Sequence, residues 1–329
     1  MTQATRNLRR ALLLAFIVAA LSAAVGPTPA ASQPAQNVKT GMYLMNLYDL
    51  DVNQYSFYAD FYLWFNWQGG RDPMNIEFVN AVEKWGFSQS NFHEEAREKA
   101  DGSLYNGMRA EGRFYHSFDL RRFPLDRHEL DIRIENVEFP ADSLVFLPDT
   151  TGELFRQDFV IPGWRIEDAA VVSQTYRYAT DFGEPDQAGS RFSNFTFQLT
   201  VSRPLSYFLL KLLLPLVVVM LACFGSLFIH PSYIDARISL PIGGLLSCVF
   251  LQQSYSSALP DVGYMVLMDK IYLLSYLLIG LVMLRVVIGG NRLLGHAQAD
   301  PLRLLRIDRR WAWAFFGIFT LGVILLVAV

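Results

Sequence analysis

The 329-residue chain is poor in cysteine, histidine and charge. Its two cysteines, Cys223 and Cys248, both lie inside long apolar runs. Residues 36–203 therefore have none, so a hydrophobic core rather than disulfides must hold that part together. The five histidines, His93, His116, His128, His230 and His296, do not cluster along the sequence. No metal-ligand spacing or EF-hand pattern occurs, and neither a metal nor another cofactor is expected. Glu94, Glu95 and Glu98 read as a solvated face, with a modulatory divalent cation as the alternative. A net charge of −3 gives no basic footprint for nucleic acid. There is no internal repeat, and no nucleophile–base arrangement that suggests an enzyme.

Apolar sequence is abundant and unevenly spread. Arg6, Arg9 and Arg10 precede the run "ALLLAFIVAALSAAV", and "PTPAASQPA" then supplies small residues with a loosely A-x-A-like site between Ala30 and Ala35. Residues 1–35 read as a signal peptide, with a short anchor helix as the alternative. Residues 204–329 hold four stretches of membrane length, about 205–229, 234–257, 264–288 and 311–329. Arg285, Arg292, Arg303, Arg306, Arg309 and Arg310 surround the last connection. The positive-inside rule puts the 289–310 loop in the cytoplasm, residues 36–203 outside and the C-terminus outside. The expected location is a bacterial inner (plasma) membrane, with the N-terminal domain in the periplasm or extracellular space.

Residues 36–203 alternate as strands do. In "FSNFTFQLTVSRP", Phe195, Phe197, Leu199 and Val201 share one face and Asn194, Thr196, Gln198 and Thr200 the other, predicting a half-buried antiparallel strand. "YSFYADFYLWFNW" (55–67) and "HELDIRIENVEF" (128–139) read as strands, as do "GRFYHSFDL", "DFVIPGW" and "AAVVSQTYRY". Many short strands predict an all-β, immunoglobulin-like sandwich followed by a four-helix transmembrane bundle. Residues 76–100 are less clear and leave room for a helical turn.

The second span is unusually polar for its length: "DARISLPIGGLLSCVFLQQSYSSALP" runs from Asp235 to Pro260. At about 100° per residue, Asp235, Ser239, Gly243, Leu246, Phe250, Gln253 and Ser257 fall within a sector of about 80°. Arg237 lies about 200° from Asp235. A stripe with polar ends and an apolar middle suits a water path with a hydrophobic constriction, which gates ions by dewetting. One helix cannot enclose a pore, so this reading requires a cyclic oligomer. The alternative is a helix buried among its neighbours, with Gly and Ser serving close packing.

Three motifs give the chain a resemblance to the pentameric ligand-gated ion channels of the Cys-loop receptor superfamily, in their bacterial branch. "HSFDLRRFPLDRHEL" (116–130) resembles the signature loop, with its F-P-x-D core at Phe123, Pro124, Leu125 and Asp126. The two family cysteines would fall at His116 and Leu130, and their absence fits the bacterial branch. "SRPLSYFLLKLLLPL" resembles the junction into the first span, with Arg203 and Pro215, and "LPDVGYMVLMDK" the loop into the third, with Leu259, Pro260, Tyr264 and Asp269.

The resemblance implies a homopentamer with ten strands in each sandwich and the second helix of each subunit lining the pore. It implies a domain-coupling cluster of Asp126 and Arg203, with Phe123, Pro124, Pro260 and Tyr264 beside them and Asp49 or Asp51 able to join. It also implies an agonist site between subunits. Tyr176, Tyr178 and Phe182 would lie on its roof, with Trp85 and Phe139 from the same subunit and Trp64 or Trp67 from the next. An aromatic box suits a cationic amine.

Five Asp235 side chains would make an acidic ring favouring monovalent cations. Against this, the family's anion-selective members carry Ala-Arg where Ala236 and Arg237 stand, and Arg237 could neutralise Asp235 locally. Leu246 and Phe250 are the gate candidates, with ordinary packing as the alternative. Pro241 can kink the helix. The expected function is a cation channel gated from the sandwich by a small-molecule agonist or protons; the alternatives are a non-conducting solute receptor and an exported enzyme on a membrane anchor.

Overall fold

The computed structural model describes residues 34–82, 86–183, 189–295 and 300–328. All of the expected signal segment except Pro34 and Ala35 lies outside them, as does Trp85.

Ten strands are described: β1 (Gln36–Asp51), β2 (Ser56–Trp67), β3 (Ile76–Phe78), β4 (Ser88–Asn91), β5 (Arg97–Glu98), β6 (Leu104–Tyr115), β7 (Arg127–Asn136), β8 (Leu144–Pro148), β9 (Arg165–Arg177) and β10 (Arg191–Ser202). One sheet has the order β4-β6-β2-β1-β8, with β5 also on β6; the other has the order β3-β7-β10-β9. Alternation explains the core. On β2, Phe57, Ala59, Phe61, Leu63, Phe65 and Trp67 all point inward and are buried. Leu130, Ile132 and Ile134 of β7 and Phe195, Phe197, Leu199 and Val201 of β10 are buried in the same core. Each such side chain contributes about 1.5–3 kcal/mol on burial, enough in sum to replace the missing disulfides.

Several expectations change here. Strand β10 is not simply half-buried: Asn194 and Thr196 on its polar face are buried too. Their polar groups are satisfied, with Asn194 Nδ2 donating to Glu135 Oε1 (3.0 Å) and the Thr196 hydroxyl donating to Asn194 Oδ1 (2.6 Å). Residues 158–164 form turns rather than a strand, because Pro162 and Gly163 break the ladder. Among the described residues of 76–100 there are three short strands and no helix.

Four helices follow: α1 (Tyr207–Phe228), α2 (Ile234–Ser256), α3 (Leu267–Gly295) and α4 (Pro301–Ala328), each long and apolar enough to cross a membrane. The first seven residues of α1, Tyr207–Leu213, are wound as a π-helix just before Pro215. A proline lacks the N–H that an α-turn would donate, and a wider turn is a common accommodation. Helix α3 runs to Gly295 and α4 starts at Pro301, so the arginines assigned to a long loop lie on helical turns instead. Arginine is a good helix former, and a helix need not stop where hydropathy does. Helix α2 is continuous through Pro241.

Two adjacent glycines on α2 do different jobs. A Cβ on Gly244 would meet Cys223 Sγ of α1 at 2.1 Å, whereas nothing lies within 4 Å of a Cβ on Gly243. Gly244→Ala is therefore expected to force α1 and α2 apart, at about 1–3 kcal/mol, and to lower the melting temperature of the detergent-purified protein. Gly243→Ala is expected to melt as the wild type does; equal losses from both would contradict this packing.

Candidate functional site

Helix α2 has two unlike faces. Asp235, Ser239, Gly243, Leu246, Phe250, Gln253 and Ser257 are all exposed in the single chain. The buried residues are Arg237, Pro241, Gly244, Cys248 and Tyr255. By helical geometry these five fall at about 180–240° from Asp235, opposite the stripe at about 0–80°. Pro241 thus turns its ring inward, and the stripe continues past it. The Ser239 hydroxyl donates to the Asp235 carbonyl (2.7 Å), within its own helix. Arg237 does not neutralise Asp235: it is 1% exposed and its Nη2 lies 2.5 Å from Asp308 Oδ2 on α4.

A second cluster lies where the sandwich meets the helices. Asp126 is 3% exposed, and Arg203 Nε donates to its Oδ1 at 3.0 Å. His128 Nε2 is 2.8 Å from Asp126 Oδ2. The Arg203 guanidinium also lies over Trp164 (4.2 Å) and Phe123 (4.9 Å). The buried Phe123 ring reaches Tyr255 at the end of α2 (6.1 Å) and Tyr207 at the start of α1 (6.5 Å). The Phe123–Pro124 peptide is cis. The Leu120 N–H donates to the Tyr264 hydroxyl (3.0 Å), and Arg122 Nη2 donates to the Val327 carbonyl near the end of α4 (3.2 Å). Pro260 precedes Tyr264 in the turn between α2 and α3.

Asp49 and Asp51 are engaged elsewhere. Asp49 pairs with Arg113 of β6 (2.7 Å), and Asp51 accepts from the N–H groups of Asn53 and Gln54 in its own turn. The histidines that are scattered in sequence are not all scattered in space. The His116 and His128 rings lie 5.7 Å apart, with Asp131 3.6 Å from His116 Nδ1. Leu130 is buried in the core instead.

The third cluster is aromatic. Tyr178 is 4.8 Å from Tyr176, 5.3 Å from Phe182 and 5.9 Å from Phe192. Phe182 holds a left-handed backbone (φ 53°) on the turn between β9 and β10. Tyr178, Phe182 and Phe192 line a cavity of about 510 Å³ that also holds Glu77 and Glu135. Glu135 is 2% exposed; its Oε2 accepts from the Tyr178 hydroxyl (2.9 Å). Burial, and then the Glu135 carboxylate, push the Tyr178 phenol well above its ordinary range, so it remains a donor. Sequence reasoning missed Glu135 because it was read only as a position on a strand; its outward alternation from Ile132 and Ile134 was the available signal.

The other aromatics stand apart. Trp67 is 3% exposed, because the period of β2 turns it inward, and it lies outside the cavity beside Tyr178. Phe139 is outside the cavity, at a turn where its N–H donates to Asn136 Oδ1 (2.8 Å). Trp64 is on the outward face of β2, its indole donating to Asp149 (3.3 Å). Burial opposes the Asp149 charge, but hydrogen bonds from Thr151, Lys39 and Trp64 hold its carboxyl down to about 2.

No family model matches the chain. Individual proteins do. It is 24% identical over 328 residues to a "Proton-gated ion channel" of Gloeobacter violaceus, covering 91% of this chain and 84% of that one. It is 25% identical over 175 residues to a "Gamma-aminobutyric acid receptor subunit beta" of Lymnaea stagnalis, covering 53% of this chain and 33% of that one. To the beta subunit of Caenorhabditis elegans it is 27% identical over 183 residues, covering 54% and 30%. The chain thus spans about a third of these receptor subunits but most of the bacterial channel. The family resemblance read from the three motifs is shown by these relatives, and with its four apolar helices the chain is a multi-pass membrane protein.

Burial works against the charge of Asp126, but the His128 hydrogen bond and the Arg203 charge outweigh it and hold the carboxyl below its ordinary range. A depressed acid contributes stability above its unfolded value of about 3.9 and loses it only as pH falls through the lower folded value. Arg203→Gln, which leaves a buried carboxylate short of its partner, is expected to cost about 3–5 kcal/mol. Arg121→Gln, which breaks an exposed pair with Asp119, is expected to cost about 0–1 kcal/mol. Melting curves of both variants at pH 7 and 5 check this; the Arg203 deficit should persist at both values.

Proposed function

We propose that this chain, a relative of the pentameric ligand-gated ion channels, forms a homopentameric cation channel in a bacterial inner membrane, with the sandwich outside. Five α2 helices face the axis with the stripe from Asp235 to Ser257. The observation that carries this reading is the two-sidedness of α2: the seven stripe residues are exposed and the five buried ones lie opposite. In a monomer that face would set Asp235 and Gln253 against lipid, at high cost. Around an axis it lines water.

The stripe assigns roles by depth. The Asp235 ring at the cytoplasmic mouth selects cations, and Ser239 and Gly243 present a hydroxyl and open width. Leu246 and Phe250 form the hydrophobic constriction, while Gln253 and Ser257 solvate the outer mouth. Asp126 and Arg203 brace the signature loop so that Phe123 and Pro124 press on the helix ends, and Pro260 and Tyr264 receive the motion.

The cavity beside Tyr178 supports an agonist class. A buried carboxylate, a second acid and three aromatic rings suit a small primary ammonium ion, through charge-assisted hydrogen bonds and cation–π attraction. A neighbouring subunit closes the site. A second reading, gating by protons, is favoured by the His116–His128 pair. Asp126 and Asp131 face these rings, with Arg203 and Arg133 beyond those acids.

Recording from the purified protein in bilayers, in a sodium chloride gradient, tests both parts. A short primary amine is expected to open channels that reverse near the sodium potential. Glu135→Gln is expected to raise the half-activating amine concentration about 10- to 150-fold, as loss of a charge-assisted contact of about 1.5–3 kcal/mol requires. Opening by an acid step alone, lost in His128→Gln, favours the proton reading. Reversal at the chloride potential contradicts the cation assignment, and silence from assembled rings favours a non-conducting receptor.

A further inference from the structure

Asp308 of α4 is fully buried and meets two arginines. Its Oδ2 lies 2.5 Å from Arg237 Nη2 on α2, and its Oδ1 lies 2.6 Å from Arg285 Nη2 on α3. Arg237 Nε also donates to the Ser226 carbonyl at the end of α1 (3.3 Å). Asp308 thus joins α2, α3 and α4, and Arg237 adds α1, at the Asp235 end of the bundle. The cluster holds two guanidiniums and one carboxylate, a formal charge of +1, and Arg285 Nε has no hydrogen-bond partner among the described residues.

Such a cluster is a poor device for stability alone. Taking charges out of water is costly, and a well-packed apolar replacement often does as well. Its position suggests another use. Arg237 is two residues from Asp235, and a long cationic side chain at a helix end reaches for water when nothing holds it. In the proposed arrangement the water at that end of α2 includes the mouth of the stripe. Five arginines there would cancel five Asp235 carboxylates.

We propose that Asp308 is a positioning residue for ion selectivity: by fixing Arg237 on the buried side of α2 it leaves Asp235 as the charge at the mouth. This rests on the reading of the stripe as a cation pore. In this account selectivity depends on a carboxylate that never touches the ion, two helices away in sequence. The roles of the two acids also separate. Asp235 supplies the field, and Asp308 keeps an opposing field out.

The test is the reversal potential, in a sodium chloride gradient, of channels opened by a short primary amine or by an acid step. Wild type is expected to reverse near the sodium potential. Asp308→Asn is expected to move the reversal toward zero or past it, and the double variant Arg237→Gln/Asp308→Asn to bring it back, since the released charge is gone. Asp308→Glu, which keeps the carboxylate, is expected to stay close to wild type. A role in packing alone predicts altered assembly or open probability with an unchanged reversal potential in all three, and that result overturns the proposal. If Asp308→Asn does not assemble alone, co-expression with the wild-type chain gives mixed rings. Selectivity should then fall as the mutant fraction rises, and no dependence on that fraction overturns the proposal. A wild-type channel that reverses at the chloride potential instead defeats the cation reading beneath it, which keeps the two failures apart.

Discussion

Arg237, Pro241, Gly244, Cys248 and Tyr255 hold α2 in one rotation about its axis. Each makes that rotation hard to change. Gly244 admits the Cys223 sulfur where a methyl group would clash. Arg237 is tied to Asp308, and the Tyr255 hydroxyl donates to Asp269 Oδ1 at the start of α3. A turn of the helix would bury Asp235 and Gln253 and strip Arg237 of its counter-ion, and both costs are electrostatic and large. The free face is therefore fixed by what the other face cannot give up. The proposed pore depends on this constraint more than on any residue within the stripe.

The sandwich and the helices are joined by a similar economy of contacts. Asp126 and Arg203 sit at the base of the sandwich in a pocket walled by Trp164, Phe123 and His128. Phe123 carries that rigid unit onto Tyr207 and Tyr255, at the ends of two helices. Arg122 adds a contact to the end of α4. The signature loop therefore touches α1, α2 and α4 together, as the gating role proposed for it requires. At the far side of β7, Glu135 lies among the aromatics of the proposed agonist cavity. One strand thus runs from the residue beside Asp126 to the residue that would meet an amine.

Much of this was legible in the sequence, for physical reasons. The period of two on β10 and β7 and the length of the apolar runs reflect burial directly, so the sandwich and the four helices follow from them. The stripe on α2 was legible because helical geometry is rigid and the polar residues are sparse. Strands β1 and β8 were harder. Their pairing is long-range, and β8 is only five residues long. Trp67 could not be separated from Trp64 by residue type; the inward register of β2 separates them. Glu135 and Asp308 were missed because each sits in an otherwise ordinary segment and gains its meaning from partners at a distance in sequence. The same holds for His116 and His128, which only the turn of the signature loop brings together. Helices α3 and α4 extend beyond the apolar stretches 264–288 and 311–329, because hydropathy marks where a membrane ends and not where hydrogen bonding does.

The orientation of α2 can be read most directly by thiol accessibility in the open channel. Cysteine placed at Ser239, Leu246 or Gln253 should react with a water-soluble cationic thiol reagent and reduce the current. The native Cys248, buried at about 220° from Asp235, should not. Rapid block through the three stripe positions with an unreactive Cys248 is the result this account predicts. Current that is untouched by modification at the stripe, or that is blocked through Cys248, would contradict it.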